Sequence, residues 1–236
     1  MTISRVALAV IGDEVLLGEV ADLNIHLVSR EIFRAGAELG YVCVLPDDVR
    51  FLVEHLGWMR ERYDWVITTG GIGATHDDLT KQVVSRIMGV PLVVAPEAVD
   101  ALEARLGSPL SDRLLELAMV PEGAELITNE LTAAPGFVIG NLIVLPGIPK
   151  LVESMLGMIK GKFKGSEFFT KTVLTPLRES EIASHLEEVQ ARFPSVKVGS
   201  YPRIEPGGHR VRVVLRSRDP ESLGEAEALL VERIGQ

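Results

Sequence analysis

Trp65-Val66-Ile67-Thr68-Thr69-Gly70-Gly71-Ile72-Gly73-Ala74-Thr75-His76-Asp77-Asp78-Leu79-Thr80 reads as a buried strand, a glycine-rich loop and the start of a helix. The apolar run over 65–69 stops at the glycines, and a helical pattern resumes over 78–88. The same grammar repeats toward the N-terminus. Residues 5–11 (RVALAVI) form a short apolar run that ends at Gly12-Asp13-Glu14. Residues 22–35 have helical spacing, with Ile25, Leu27, Val28, Ile32 and Phe33 able to share a face, Asp22 to cap the start and Gly36 just past the end. Residues 39–45 read as a second strand, closed by Pro46, and 49–63 as a second helix. Strands alternating with helices predict an α/β fold with an open, mostly parallel sheet. In such sheets ligands bind beyond the carboxyl ends of the strands. Gly12-Asp13-Glu14, Pro46-Asp47-Asp48 and the loop from Gly70 to Asp78 each follow a predicted strand, so they should meet at one edge of the sheet.

Beyond this region, residues 96–118 look helical until Pro121 breaks the pattern. Short segments fill 124–149, among them Leu142 to Leu145, which stops at Pro146-Gly147-Ile148-Pro149. A helix over 150–159 closes a first domain, residues 1–162. The basic, glycine-containing stretch 160–165 is a candidate linker. Residues 166–236 then read as a small β-α-β-β-α module, with strands near 168–174, 196–201 and 210–216 and helices over 180–193 and 221–234.

Composition narrows the function. The chain has 236 residues, 47% of them apolar, so it can bury a core and is not globally disordered. With 24 Lys+Arg against 33 Asp+Glu the net charge is -9, which argues against a general nucleic-acid binder. Arg203, Arg210, Arg212, Arg216 and Arg218 could meet a phosphate, but a solvated face or an interface is the stronger reading. Cys43 is the single cysteine, so no intrachain disulfide or cysteine-rich zinc site can form. It sits in an apolar strand and reads as an inert core residue. The expected compartment is the cytoplasm. No apolar run is long enough to span a membrane, and the first ten residues lack a signal-peptide layout.

The glycine-rich loop carries the chemistry. Gly70, Gly71 and Gly73 permit positive φ and close backbone approach, and the following helix start favours an anion such as phosphate. The spacing fits neither a Walker A loop nor the dinucleotide fingerprint; a plain tight turn is the alternative. Asp77 and Asp78 beside a phosphate loop repel it unless a divalent cation intervenes. Asp47, Asp13 and Glu14 could add carboxylates. One of Asp77 and Asp78 is also expected to cap the helix. His76 could be a general acid or a metal ligand, or simply a surface histidine.

Gly12-Asp13-Glu14, Gly18, Asp22, Asn24, Pro46-Asp47-Asp48, the loop from Gly70 to Thr80, Ala134-Pro135-Gly136-Phe137, Asn141 and Leu145-Pro146-Gly147-Ile148-Pro149 occur in this order in CinA-type proteins. The chain resembles that family over about residues 5–160, the molybdopterin-binding-like domain shared with MogA/MoaB proteins. The small module is similar to the KH-like domain of CinA, and Gly199-Ser200-Tyr201-Pro202 resembles the N-terminal module of eukaryotic FAD synthase. The resemblance implies a MogA/MoaB-like three-layer domain plus a small α+β domain. It further implies metal-dependent cleavage of ADP-ribose, FAD or a related dinucleotide to release AMP. Asp47, His76 and Asp78 would be catalytic. Asp47, Asp77 and Asp78 would hold Mg²⁺, Mn²⁺ or Co²⁺. Gly12, Asp13, Glu14, Asn24, Thr69, Gly70, Gly71, Gly73, Thr75, Thr80, Pro146 and Gly147 would line the site for a nucleotide or pterin.

Molybdopterin adenylyl transfer, or binding of molybdopterin or a nucleotide without catalysis, are the alternatives. A homo-oligomer, dimer or trimer, is expected, with neither nucleic acid nor membrane as partner. Ala74 stands where the family usually has Pro, and Leu23 where Thr is usual. The amidohydrolase domain of full-length CinA does not follow, so deamidation is not expected. Gly207-Gly208 fall between predicted strands rather than two helices, so the KH-like likeness does not imply RNA binding.

Overall fold

The computed structural model describes residues 2–129, 131–205 and 208–235. The chain divides into two compact units, Met1–Gly165 and Ser166–Gln236.

In the first unit the strands are β1 (Arg5–Ile11), β2 (Glu38–Leu45), β3 (Trp65–Thr69), β4 (Leu92–Val94), β5 (Met119–Pro121), β6 (Glu125–Ile127), β7 (Gly136–Ile139) and β8 (Leu142–Leu145). The helices are α1 (Asp13–Leu16), α2 (Asn24–Arg34), α3 (Val49–Arg62), α4 (Thr80–Met88), α5 (Pro96–Leu106), α6 (Asp112–Leu115) and α7 (Pro149–Ile159). Six strands make one sheet in the order β2-β1-β3-β8-β7-β6. β2, β1, β3 and β8 run parallel, and β7 alone is reversed, pairing antiparallel with both β8 and β6. β4 and β5 form a separate antiparallel pair, absent from the expectation of one long helical stretch to residue 118.

The sheet is buried on both faces, which is why β1 and β3 read as unbroken apolar runs rather than alternating ones. Ala7, Ala9 and Val66 face a core with Leu52, Leu56 and Met59 of α3, Val83 and Val84 of α4 and Leu102 of α5. Val6, Leu8 and Ile67 face the opposite core with Val28 and Ile32 of α2 and Val152 and Met155 of α7. The result is three layers. The chain leaves β1 for β2 on one side and then returns to β3 on the other. That reversal opens a crevice at the carboxyl ends of β1 and β3.

Local signals account for the element ends. Asp22 Oδ1 accepts the Ile25 amide at 2.8 Å, and Gly36 takes φ +70 past α2. Asp48 caps α3 by accepting from Phe51 N at 2.9 Å. Cys43 is half-buried, and burial pushes its thiol up to about 11, consistent with an inert core residue.

The second unit contains β9 (Phe169–Thr175), α8 (Glu179–Arg192), β10 (Lys197–Glu205), β11 (Gly208–Ser217) and α9 (Pro220–Ile234). Its sheet is antiparallel in the order β10-β11-β9. Ile182, Val189, Val211, Val213, Leu215 and Leu230 close its core against the helices. Gly207 of the Gly207-Gly208 pair and the side chain of Arg203 lie outside the described residues.

Candidate functional site

The carboxyl ends of β1, β2, β3 and β8 open onto a cavity of about 410 Å³. Gly12, Glu14, Asp47, Gly70, Gly71, Gly73, Asp77, Asp78, Pro146 and Gly147 line it, as the sheet-edge argument requires. Ile72, Leu117, Ile148 and Leu151 give the same cavity an apolar wall.

The glycine loop is built by close approach. Gly70 has φ +101, and a Cβ there would lie 2.1 Å from the Ile11 carbonyl oxygen. Gly71 has φ +67, and its Cβ would lie 2.3 Å from Thr80 Oγ1. Both positions therefore require glycine. Thr80 is fully buried and fastens the loop: its hydroxyl donates to Gly70 O and its amide to Gly71 O, each at 2.9 Å.

Asp78 does not cap a helix. α4 begins at Thr80 after Leu79, which offers no side-chain cap. Instead Asp78 Oδ1 accepts the Gly73 amide at 2.7 Å, and Oδ2 accepts the Thr75 amide at 2.8 Å and the Thr75 hydroxyl. The loop folds back on this carboxylate before a helical turn can start, and Asp77 is left pointing out with a largely exposed side chain. Gly70 N is committed as well, to Leu145 O at 3.1 Å. The amides of Gly71, Ile72 and Ala74 donate to no group among the described residues. These, rather than the Gly70 and Gly73 amides, are available to an anion.

Asp13 and Asp47 are tied reciprocally: Asp13 N donates to Asp47 Oδ2 at 3.0 Å and Asp47 N to Asp13 Oδ1 at 3.2 Å. Burial raises the Asp47 pKa; the Asp13 amide opposes the shift, while the charges of Asp13, Glu14 and Asp77 add to it. The opposite wall is held by Asn24, whose Nδ2 donates to Gly147 O at 2.7 Å. Asn24 and Thr69 line a separate hollow of about 60 Å³, where Asn24 Oδ1 and Thr69 Oγ1 have no partner. Thr75 is exposed and bonded to Asp78. His76 is not part of the cavity lining; its side chain is 97% exposed, with Nδ1 3.8 Å from Asp77 Oδ1.

Two further residues shape the cavity from outside its lining. Asn129 organises the loop that brings Thr132 and Ala134 to the cavity, donating to Ala134 O at 2.6 Å and accepting from Thr132 N at 2.8 Å. Lys81 is 7% exposed and its Nζ donates to Glu116 O at 2.6 Å. It ties the start of α4 to the turn bearing Leu117, and burial lowers its pKa. Its three- and seven-residue spacing from Val84 and Met88 places it on the apolar stripe of α4, which is the one signal the sequence offered.

The cavity lining carries four carboxylates, Glu14, Asp47, Asp77 and Asp78, and no Lys, Arg or His. Among the described residues no group of three His, Cys, Asp or Glu could hold a metal ion. The protein oxygens therefore do not form a closed cation cage. They fit a magnesium-like cation held by one or two carboxylates and completed by substrate phosphates. Glu14, Asp47 and Asp77 are the lining carboxylates left to hold it, since both Asp78 oxygens already serve the loop.

No helix of the described residues is long and apolar enough to cross a membrane. Residues 7–163 match the family described as "Probable molybdopterin binding domain", and residues 167–236 match "FAD synthase, middle domain". A protein of Archaeoglobus fulgidus is 32% identical over 92% of this chain and 92% of its own length. A CinA-like protein of Citrifermentans bemidjiense is 35% identical over 78% of this chain, and a "Probable FAD synthase" of Caenorhabditis briggsae 24% over 96%. This chain spans only 47% and 49% of those two proteins. The crystal structure of CinA from Thermoplasma acidophilum superposes with a TM-score of 0.63 at 25% identity, over 68% of this chain and 98% of that one. With the crevice, the glycine loop and the carboxylates in their places, the chain belongs to the molybdopterin-binding-domain family.

Proposed function

We propose that the cavity binds the pyrophosphate of a dinucleotide and hydrolyses it, releasing AMP from ADP-ribose, FAD or a related compound. The observation that carries this reading is the placement of free Gly71 and Ile72 amides and the Asp47 carboxylate around one cavity. Its volume of about 410 Å³ falls within the usual range for small-molecule sites.

The loop amides would receive phosphoryl oxygens and stabilise charge that grows on them during attack. A divalent cation (Mg²⁺, Mn²⁺ or Co²⁺), when bound through Asp47 and Asp77, would neutralise phosphate charge and acidify water. Asp47 would orient the attacking water beside the cation, and the proton of that water would leave toward the exposed rim. The new bond is water oxygen to phosphorus; the bond that breaks is the phosphoanhydride, whose bridging oxygen leaves with its electron pair. Asp78 serves by holding the loop. His76, at the exposed rim, would assist proton transfer to solvent. The apolar wall would seat a flat ring.

A second reading, adenylyl transfer to molybdopterin, draws support from the family match and from that apolar wall, which suits a pterin as well as a flavin or adenine. Under either reading the ligand is a small nucleotide or pterin in the cytoplasm, and the chain assembles as a homo-oligomer.

The deciding experiment measures AMP release from ADP-ribose, FAD and NAD with each cation, with Asp47→Asn as control. Cation-dependent release that the control lacks is expected. Absence of AMP throughout, with adenylylated pterin formed from ATP and molybdopterin, would select the second reading.

A further inference from the structure

α3 carries two faces. Leu52, Leu56 and Met59 point into the core, and a second stripe of Phe51, Glu54, His55, Trp58, Glu61 and Arg62 runs along the outside at helical spacing. This outer stripe is not a solvated polar face: Phe51 is 41% exposed and Trp58 39%. Phe51 stacks on His55 with centroids 3.9 Å apart, and Tyr41 of β2 meets Trp58 edge-on at 5.3 Å. Tyr41, Glu54, His55 and Trp58 line a groove of about 260 Å³ between helix and strand. β2 is an edge strand, bonded only to β1. It is eight residues long and contains no Lys or Pro, the residues that usually blunt such an edge.

The charges on this face are arranged to match a copy of itself. Glu54 lies four residues before Trp58 and Arg62 four after it. Glu54 makes no ion pair among the described residues, while the Arg62 guanidinium rests over the Trp58 ring at 4.9 Å and reaches only a long, exposed pair with Glu61 of its own helix at 3.4 Å. Two α3 helices packed antiparallel about a two-fold axis at Trp58 would bring each Glu54 to Arg62 of the second copy. This is the self-complementarity that an isologous interface needs. With a net charge of -9, the chain repels its copies unless local charges are matched in this way.

We infer that the α3–β2 face is where a second copy of this chain binds, with Trp58 on the two-fold axis and Glu54 paired with Arg62 across it. The inference builds on the homo-oligomer reading and names its surface.

Sedimentation velocity of the full chain over a concentration series tests it. The wild-type chain should sediment as a reversible dimer. Glu54→Arg and Arg62→Glu should each weaken dimerisation about tenfold or more, because every dimer holds two such pairs. The double variant should regain it. Trp58→Glu should give monomers; both charge variants change exposed residues, so the test survives if that variant misfolds. A wild-type monomer at every concentration would overturn both self-association and this surface. A dimer indifferent to all the substitutions would overturn the surface alone, as would charge variants that weaken the dimer without restoration in the double.

Discussion

The carboxylate of Asp78 accepts the amide of Gly73 at 2.7 Å, reaching back across five residues to hold the glycine loop open. The same side chain accepts from the Thr75 amide at 2.8 Å. An adjacent pair of acids thus divides its labour: one shapes the loop and the other faces solvent.

Asp78→Asn keeps one acceptor oxygen but turns an NH₂ toward a backbone donor. It should lose AMP release and also lower stability by about 1–2 kcal/mol, the scale of a lost hydrogen bond to a charged group. Urea unfolding beside the activity assay checks this. Loss of activity at unchanged stability would instead place Asp78 among the reacting groups.

Asp47→Asn should separate activity from stability in the opposite way. The raised pKa means that ionised Asp47 is disfavoured in the fold. Its penalty is absent below the unfolded value, grows as pH rises toward the folded one, and is complete above it. The variant should therefore melt no lower than the wild type at neutral pH, lack the fall in stability that sets in as pH rises above the ordinary aspartate value, and lose about 10²-fold or more in turnover. Thermal melts across that pH range, with rates at neutral pH, test it.

Gly70→Ala should be among the most damaging single changes. The methyl group would meet the Ile11 carbonyl oxygen at 2.1 Å on a backbone at φ +101. A loss of more than about 2 kcal/mol is expected. Thr80→Val, which removes the buried bond to Gly70 O, should lose about 1–2 kcal/mol. Chemical denaturation ranks the two, and the reverse order would mean that the loop can shift to relieve the contact.

Lys81→Met should alter how stability depends on pH. Burial depresses the Lys81 pKa, so the fold disfavours its charged form. Wild-type stability should rise as pH increases from the folded pKa toward the unfolded one, while the methionine variant should lack that rise. Denaturation curves from neutral to alkaline pH would show it; parallel curves for the two proteins would mean that Lys81 stays charged at no cost.

Much of the fold could be read from local pattern. β1 and β3 are short apolar runs stopped by glycine, and α2 and α3 have helical spacing with Asp22 and Asp48 at their starts. β4 and β5 could not be read this way. They are three residues each and are defined by pairing with one another across the chain. Asp47, Asp77, Asp78 and the glycines share the cavity because each follows a parallel strand, a consequence of topology that the order of segments already contained.

The sequence by itself therefore determined the α/β architecture, the sheet edge that carries the site, and the presence there of acids beside a glycine loop. These follow from periodicity and from the rule that parallel strands point their carboxyl ends the same way. Only the tertiary structure decided which groups are free to act. Asp78 is consumed by loop amides, Gly70 and Gly73 give their N–H groups away, His76 lies outside the cavity lining, and Lys81 is drawn into the interior. The physical reason is that a hydrogen-bonding group's availability depends on the partners folding brings to it, and Leu145, Glu116 and Asn24 are far along the chain from the groups they engage.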